Sequence, residues 1–167
     1  MARLEVRLLG DPVLREKAAE VTQITGATLR LIEDMFETMY AEEGVGLAAP
    51  QVGVSERIIV VDPRDDETER FALINPVILE QGKETERDEE GCLSIPGLKD
   101  IVERSANVVV EGLTPAGETR RIEAEGLLAR ILQHEIDHID GILFIDRLSP
   151  LKRKLALSKW QKVKPTA

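Results

Sequence analysis

Both histidines of this 167-residue chain lie in one short stretch, ILQHEIDHIDG at 131 to 141, four positions apart and with Glu135 directly after the first. On an α-helix, positions i and i+4 sit one turn apart on the same face, about 6 Å along the axis. His134 and His138 can therefore grip one object between them. Random placement gives that spacing about once in 85, and with the adjacent glutamate about once in 600, a modest false-positive risk for the pattern. Two solvated histidines that merely sit close are the alternative. The wider segment GLLARILQHEIDHIDG carries Leu127, Leu128, Ile131, Leu132 and Ile139, and its length suits a helix lying largely inside the protein. The histidines thus ride on a buried helix, and the rest of the chain must supply whatever they grip with.

In the HExxH pattern the imidazoles bind a metal and the carboxylate handles protons of the attacking water. A catalytic site needs a third protein ligand. The chain has no third histidine, and beyond His138 only Asp140 and Asp146 are acidic, in a run too short to return a separate helix. The remaining soft ligand is Cys92, inside EEGCLSIPG, where Gly91 lets the backbone approach closely and Ser94 and Pro96 mark an irregular segment at a strand's edge. For Cys92 alone, a small buried hydrophobe is the competing interpretation. A thiolate with two imidazoles makes a catalytic set that leaves the fourth position open, and such a set suits Zn(II) or Fe(II) alike.

With 43% hydrophobic residues, the chain fits one domain over 1–167 with a core large enough to fold without staples. The lone cysteine excludes an internal disulfide. No apolar run approaches membrane-spanning length, and MARLEVRLLGDPVLREK lacks a secretion-signal pattern, so a cytoplasmic protein without membrane partners is expected. A net charge of −9 argues against DNA as a partner. Residues 151–167, however, contain six basic and no acidic residues, leaving 16 basic against 31 acidic elsewhere. This basic tail, expected as a helix over about 149–163 after Ser149 and Pro150, suggests either a polyanionic partner or a solvated helix face.

Asp11 and Pro12 predict a short helix near 11–20, and the stripe Leu29, Ile32, Phe36, Met39, Tyr40 predicts a longer one over 27–43 that Gly44 stops. Short β-rich runs follow at 57–62, 71–79 and 106–113, with TPAG at 114–117 as a hairpin turn before RRIEAE, and Gly126 ends the strands. The charged stretches 64–70 and 83–90 are expected as solvated loops, and 142–148 as a further strand. GVGLAAPQVG at 44–53 lacks the Lys-Ser/Thr of a phosphate loop and does not lead from a strand into a helix. Its small residues would instead let an extended peptide lie close along a strand edge. Gln51, the one polar side chain there, could donate to a developing oxyanion.

GVGLAAPQ, EGCLS and QHEIDH, in this order and roughly 40 residues apart, resemble the three signature segments of the peptide deformylase family. The similarity extends over nearly the whole chain. It implies an α+β fold of small antiparallel or mixed β-sheets packed around a central HExxH helix, with a C-terminal helix, and an activity removing the formyl group from N-formylmethionyl nascent peptides. Carried onto matching positions, it implies Cys92, His134 and His138 as ligands of one divalent ion. Fe2+ is the expected ion, with Zn2+, Ni2+ or Co2+ as substitutes. Glu135 becomes the general acid and base, and Gln51 and the Leu93 backbone N–H the oxyanion donors. Gly46 contacts the substrate backbone, while Val45, Leu127 and the stem of Arg130 form a methionine slot. A monomer, docking to ribosomes through the basic helix, is also expected. Asp137 and Arg104 are candidate partners of the ligand histidines, with a surface salt bridge as the alternative. The rival functions are an HExxH peptidase and a non-catalytic metal-stabilised binding module.

Overall fold

The computed structural model describes residues 2–165. In chain order its regular elements are α1 (Gly26–Ala41), β1 (Gly46–Ala48), β2 (Ile58–Val61), β3 (Phe71–Gln81), β4 (Thr85–Gly91), β5 (Lys99–Ser105), β6 (Asn107–Leu113), β7 (Thr119–Glu125), α2 (Gly126–Ile139) and α3 (Pro150–Val163). Strands β1-β2-β3-β6-β7 form one sheet in that order, while β4 and β5 pair separately. Every pairing between these strands is antiparallel. Among the described residues, no helix is long and apolar enough to cross a membrane.

Strands β1, β2 and the start of β3 are buried on both faces of the larger sheet, where successive residues point to opposite sides. On β2, Ile59 and Val61 join Ala129, Ile131, Leu132, Ile136 and Ile139 of α2. Ile58 and Val60 point the other way, onto Ile32, Met35, Phe36 and Met39 of α1. Helix α2 is thus enclosed between the sheet and the β4–β5 hairpin. A third cluster beneath the hairpin gathers Leu14, Ile95, Leu98, Val102, Phe144 and Trp160, and it anchors α3 to the body.

The apolar stripe of residues 27–43 forms α1 as expected. Thr25 caps it, and Glu43 adopts a left-handed φ of 59° as Gly44 N–H returns to the Met39 carbonyl. Gly126 not only ends the strands but, at φ 59°, turns the chain into α2.

Three local expectations fail. The region 11–20 holds only a 3-10 turn, Pro12–Arg15, because Ala18 N–H donates to the Ile139 carbonyl and Ala19 bridges to Glu56, drawing the chain out along its neighbours. The charged run 83–90 is largely strand β4, with only Glu90 buried. Its register against β5 is continuous from Thr85↔Ser105 to Gly91↔Lys99, so backbone pairing and not apolar burial holds it. Residues 142–148 coil into a 3-10 turn, Phe144–Arg147, with Leu143, Phe144 and Ile145 all buried. A short run buried all round carries no period that separates strand from helix.

Asn75 fixes the irregular centre of β3. Its φ is 53°, and its side-chain amide accepts from Val21 N–H and donates to the Val21 carbonyl, both at 2.9 Å. Asn75→Ala would strand both backbone groups and strain a left-handed residue. We expect about 2 kcal/mol of lost stability, read as a melting temperature lowered by about 4–8 °C.

Candidate metal centre

Helix α2 presents His134 and His138 on one buried face, and the turn after β4 brings Cys92 to them. The two Nε2 atoms are 3.2 Å apart, and Cys92 Sγ lies 3.3 Å from His138 Nε2. All three donor atoms fall within 4.8 Å of one another. Tetrahedral coordination with bonds of about 2.0–2.3 Å separates donors by about 3.3–3.6 Å, so this spacing fits one shared ion. The chemistry fits too, because one soft sulfur and two imidazoles suit Zn(II) or Fe(II).

The tautomer of His134 is set from behind. Its Nδ1 lies 2.9 Å from Glu90 Oε1, so Nδ1–H donating to that carboxylate leaves the Nε2 lone pair turned toward Cys92 and His138. Glu90 is itself held by Arg104 through Nε (2.8 Å) and Nη2 (2.9 Å), and by Arg130 Nη1 at 2.6 Å. Arg104 continues to Asp137 at 2.6 Å, which Arg147 also engages at 2.8 Å. Burial alone would raise the Glu90 carboxyl, but hydrogen bonds from Arg104 and His134 hold it well below the usual carboxylate range. Glu90 therefore stays ionised.

Glu135 is the opposite case. Burial pushes its carboxyl up to about 7, with the Glu90 charge reinforcing the rise. Its Oε1, like His138 Nδ1, is buried without a hydrogen-bond partner among the described residues. A carboxyl poised near neutrality with an unused oxygen can both take and return a proton. Burial pushes His138 well below its ordinary value, and the neutral imidazole is the form that can ligate a metal.

A cavity of about 410 Å³ adjoins these groups, lined by Val45, Gly46, Gln51, Cys92, Leu93, Leu127, Arg130, Ile131, His134 and Glu135 among others. Of the residues given a catalytic, substrate-binding or metal role from the sequence, all but His138 border it. Gln51 Oε1 accepts from Ala48 N–H at 3.0 Å, while its Nε2 donates to Ser94 Oγ at 3.1 Å and sits 3.6 Å from Cys92 Sγ. Leu127 is 55% exposed at the mouth. The Arg130 guanidinium turns away into the protein, donating to the Val102 and Glu86 carbonyls as well as to Glu90. A Cβ on Gly46 would lie 2.7 Å from Glu135 Oε2, so glycine alone fits there. A larger open groove of about 710 Å³ over the ends of β3, β6 and β7 gathers no comparable set of reactive groups.

Glu90, the residue that orients His134, escapes sequence reasoning because it sits in a charged run that reads as a solvated loop. Its one signal is adjacency to Gly91-Cys92. Arg104 and Asp137 do meet, but as a buried pair. Arg104 reaches His134 only through Glu90. Ile131 joins the cavity without prior assignment, and Ser94 acts from behind it by holding Gln51.

Residues 3–154 match the family described as Polypeptide deformylase. The chain is 58% identical over 149 residues to a peptide deformylase of Halothermothrix orenii, covering 89% of this chain and 95% of that protein. It is 51% identical over 163 residues to one of Thermodesulfovibrio yellowstonii, covering 96% and 98%. Among solved structures, a peptide deformylase from Legionella pneumophila is 47% identical with a TM-score of 0.91, over 98% of this chain and 96% of that one. One from Ehrlichia chaffeensis, in complex with actinonin, is 40% identical with a TM-score of 0.93, over 99% and 100%. Sequence, fold and the Cys-His-His cluster agree, and the chain belongs to the peptide deformylase family of metal-dependent hydrolases that remove the N-formyl group from nascent peptides.

Proposed function

We propose that this chain deformylates N-formylmethionyl peptides, releasing formate, with Cys92, His134 and His138 holding one divalent ion and Glu135 moving the protons. The observation that carries this is the convergence of the three donor atoms beside a cavity that Glu135 enters with an unpartnered oxygen. Fe2+ is the ion we assign, with Zn2+, Ni2+ or Co2+ as substitutes. When bound, such an ion polarises the formyl oxygen and lowers the pKa of water from 15.7 towards about 7.

The remaining work falls to the chain. Glu135 accepts the proton of the attacking water as its oxygen adds to the formyl carbon, then returns a proton to the amine nitrogen as the C–N bond breaks. Charge developing on the formyl oxygen meets Gln51 Nε2–H, held in place through Ala48 and Ser94, and the Leu93 backbone N–H. Among the described residues, strand β1 pairs only with β2, so its second edge is open to an extended peptide, with Gly46 permitting close backbone approach. Val45, Leu127, Ile131 and the Arg130 stem line the slot for methionine.

We take the chain as one catalytic domain over 1–167, monomeric and cytoplasmic, docking to ribosomes through α3. That helix exposes Lys152, Lys154, Lys159, Lys162 and Lys164 on an otherwise acidic protein, and a polyanionic surface is its electrostatic complement.

Glu135→Ala is expected to retain fold and metal content while kcat falls by about 10²–10⁴; an active variant would sink the mechanism. Cys92→Ser replaces the soft donor and should weaken or exchange the ion, measured by metal analysis of anaerobically purified protein. Unchanged metal content and rate would remove Cys92 from the ligand set. Deleting α3 would strip Trp160, only 3% exposed, from the core, so charge reversal is the cleaner test of docking. Lys154→Glu with Lys162→Glu should abolish salt-sensitive ribosome binding and leave hydrolysis of formyl-Met-Ala-Ser intact. Equal binding by the double variant would refute the docking role.

A further inference from the structure

The segment Gly44–Gly46 forms one wall of the cavity, and its inner side has no slack. A Cβ at Gly44 would lie 2.8 Å from Leu93 Cδ1, and one at Gly46 2.7 Å from Glu135 Oε2. Its outer side is tied to the charged stretch that follows β2. Asp62 N–H donates to the Val45 carbonyl at 2.8 Å, and the Arg64 guanidinium donates to the Gly44 carbonyl at 3.0 Å. Arg64 is itself oriented from two sides. Its backbone N–H donates to Asp62 Oδ1 at 2.9 Å, and Asp62 Oδ2 accepts from the Tyr40 hydroxyl at 2.5 Å. The guanidinium carbon lies 5.5 Å from the centroid of the Tyr40 ring, within cation–π reach.

The backbone adds an independent sign. Arg64 has φ 61°, in the left-handed region that glycine or asparagine occupies with less strain. Arg64 is exposed, so burial of its side chain does not offset that strain. What the side chain contributes is the contact with Gly44 and Tyr40.

We propose that Arg64 is a positioning residue for peptide binding: acting through the Gly44 carbonyl, it holds the Gly44–Gly46 wall against Leu93 and Glu135 and so fixes the edge along which the substrate backbone lies. This rests on the assignment of that edge to substrate binding. Arg64→Gly separates positioning from stability, because it relieves the left-handed backbone while deleting the side chain. In the metal-loaded enzyme, KM for formyl-Met-Ala-Ser should rise about three- to tenfold, the ratio that one net hydrogen bond supports, while kcat changes by less than about twofold. The melting temperature should stay level or rise. Amide exchange over residues 42–48 of the metal-free chain should accelerate, and Arg64→Lys, keeping a cationic donor, should recover part of the KM loss. A KM within about twofold of the parent, or unchanged exchange over 42–48, overturns the proposal, as does a KM loss accompanied by a lowered melting temperature. If exchange accelerates while KM stays level, the tether is real and the failure lies with the substrate-edge assignment.

Discussion

A single buried carboxylate organises this molecule. Glu90 takes hydrogen bonds from Arg104 on the adjacent strand and from Arg130 and His134 on α2, so one charge joins the hairpin to the helix that carries two of the three candidate ligands. A carboxylate this deep is tolerated only when its lone pairs are filled and its charge is matched. Each partner that satisfies it also places something: Arg104 ties β4 to β5 and to Asp137, Arg130 closes the floor of the cavity, and His134 turns its Nε2 outward. Cys92 follows two residues after Glu90, so the contact that orients one candidate ligand also delivers another.

The same helix hosts two carboxyls with contrasting fates. Asp137 faces Arg104 and Arg147 and is fully paired, while Glu135, two residues earlier and on another side of α2, faces an apolar wall and Gly46. Position around one helical turn therefore separates a paired charge from a buried carboxyl with an unpartnered oxygen. The closeness of Gly46 explains why a stretch of small residues belongs opposite the HExxH helix. Any side chain there would occupy the space of the glutamate itself.

Much of this was legible in the residues, and each failure has its own physical cause. Apolar spacing located α1 and α2, and β-rich composition located the strands around Ile58–Val61, Phe71–Gln81 and Asn107–Leu113, because these elements bury their apolar side chains. Strand β4 has no such signal: it is held by its ladder and by the ion pairs of Glu90, and hydrophobic patterning is blind to both. The run Leu143–Ile145 is apolar on every side, so nothing in it distinguishes a strand from a tight coil. At the site, the convergence of Cys92, His134 and His138 was readable from ligand chemistry and spacing, and Glu135 lies in the adjoining cavity. Glu90 and Arg64 were not readable, since each is a charged residue in a charged stretch whose partner lies far away in sequence.

The cluster that joins Leu14 to Trp160 has a bearing on how the chain is made. These residues come from opposite extremes of the described chain and share one apolar floor with Ile95, Leu98 and Phe144. During synthesis that floor stays bare until α3 has cleared the exit tunnel, whereas the sheet and α2 can assemble earlier. A protein that trims the beginnings of other nascent chains thus closes this apolar floor only when α3 arrives.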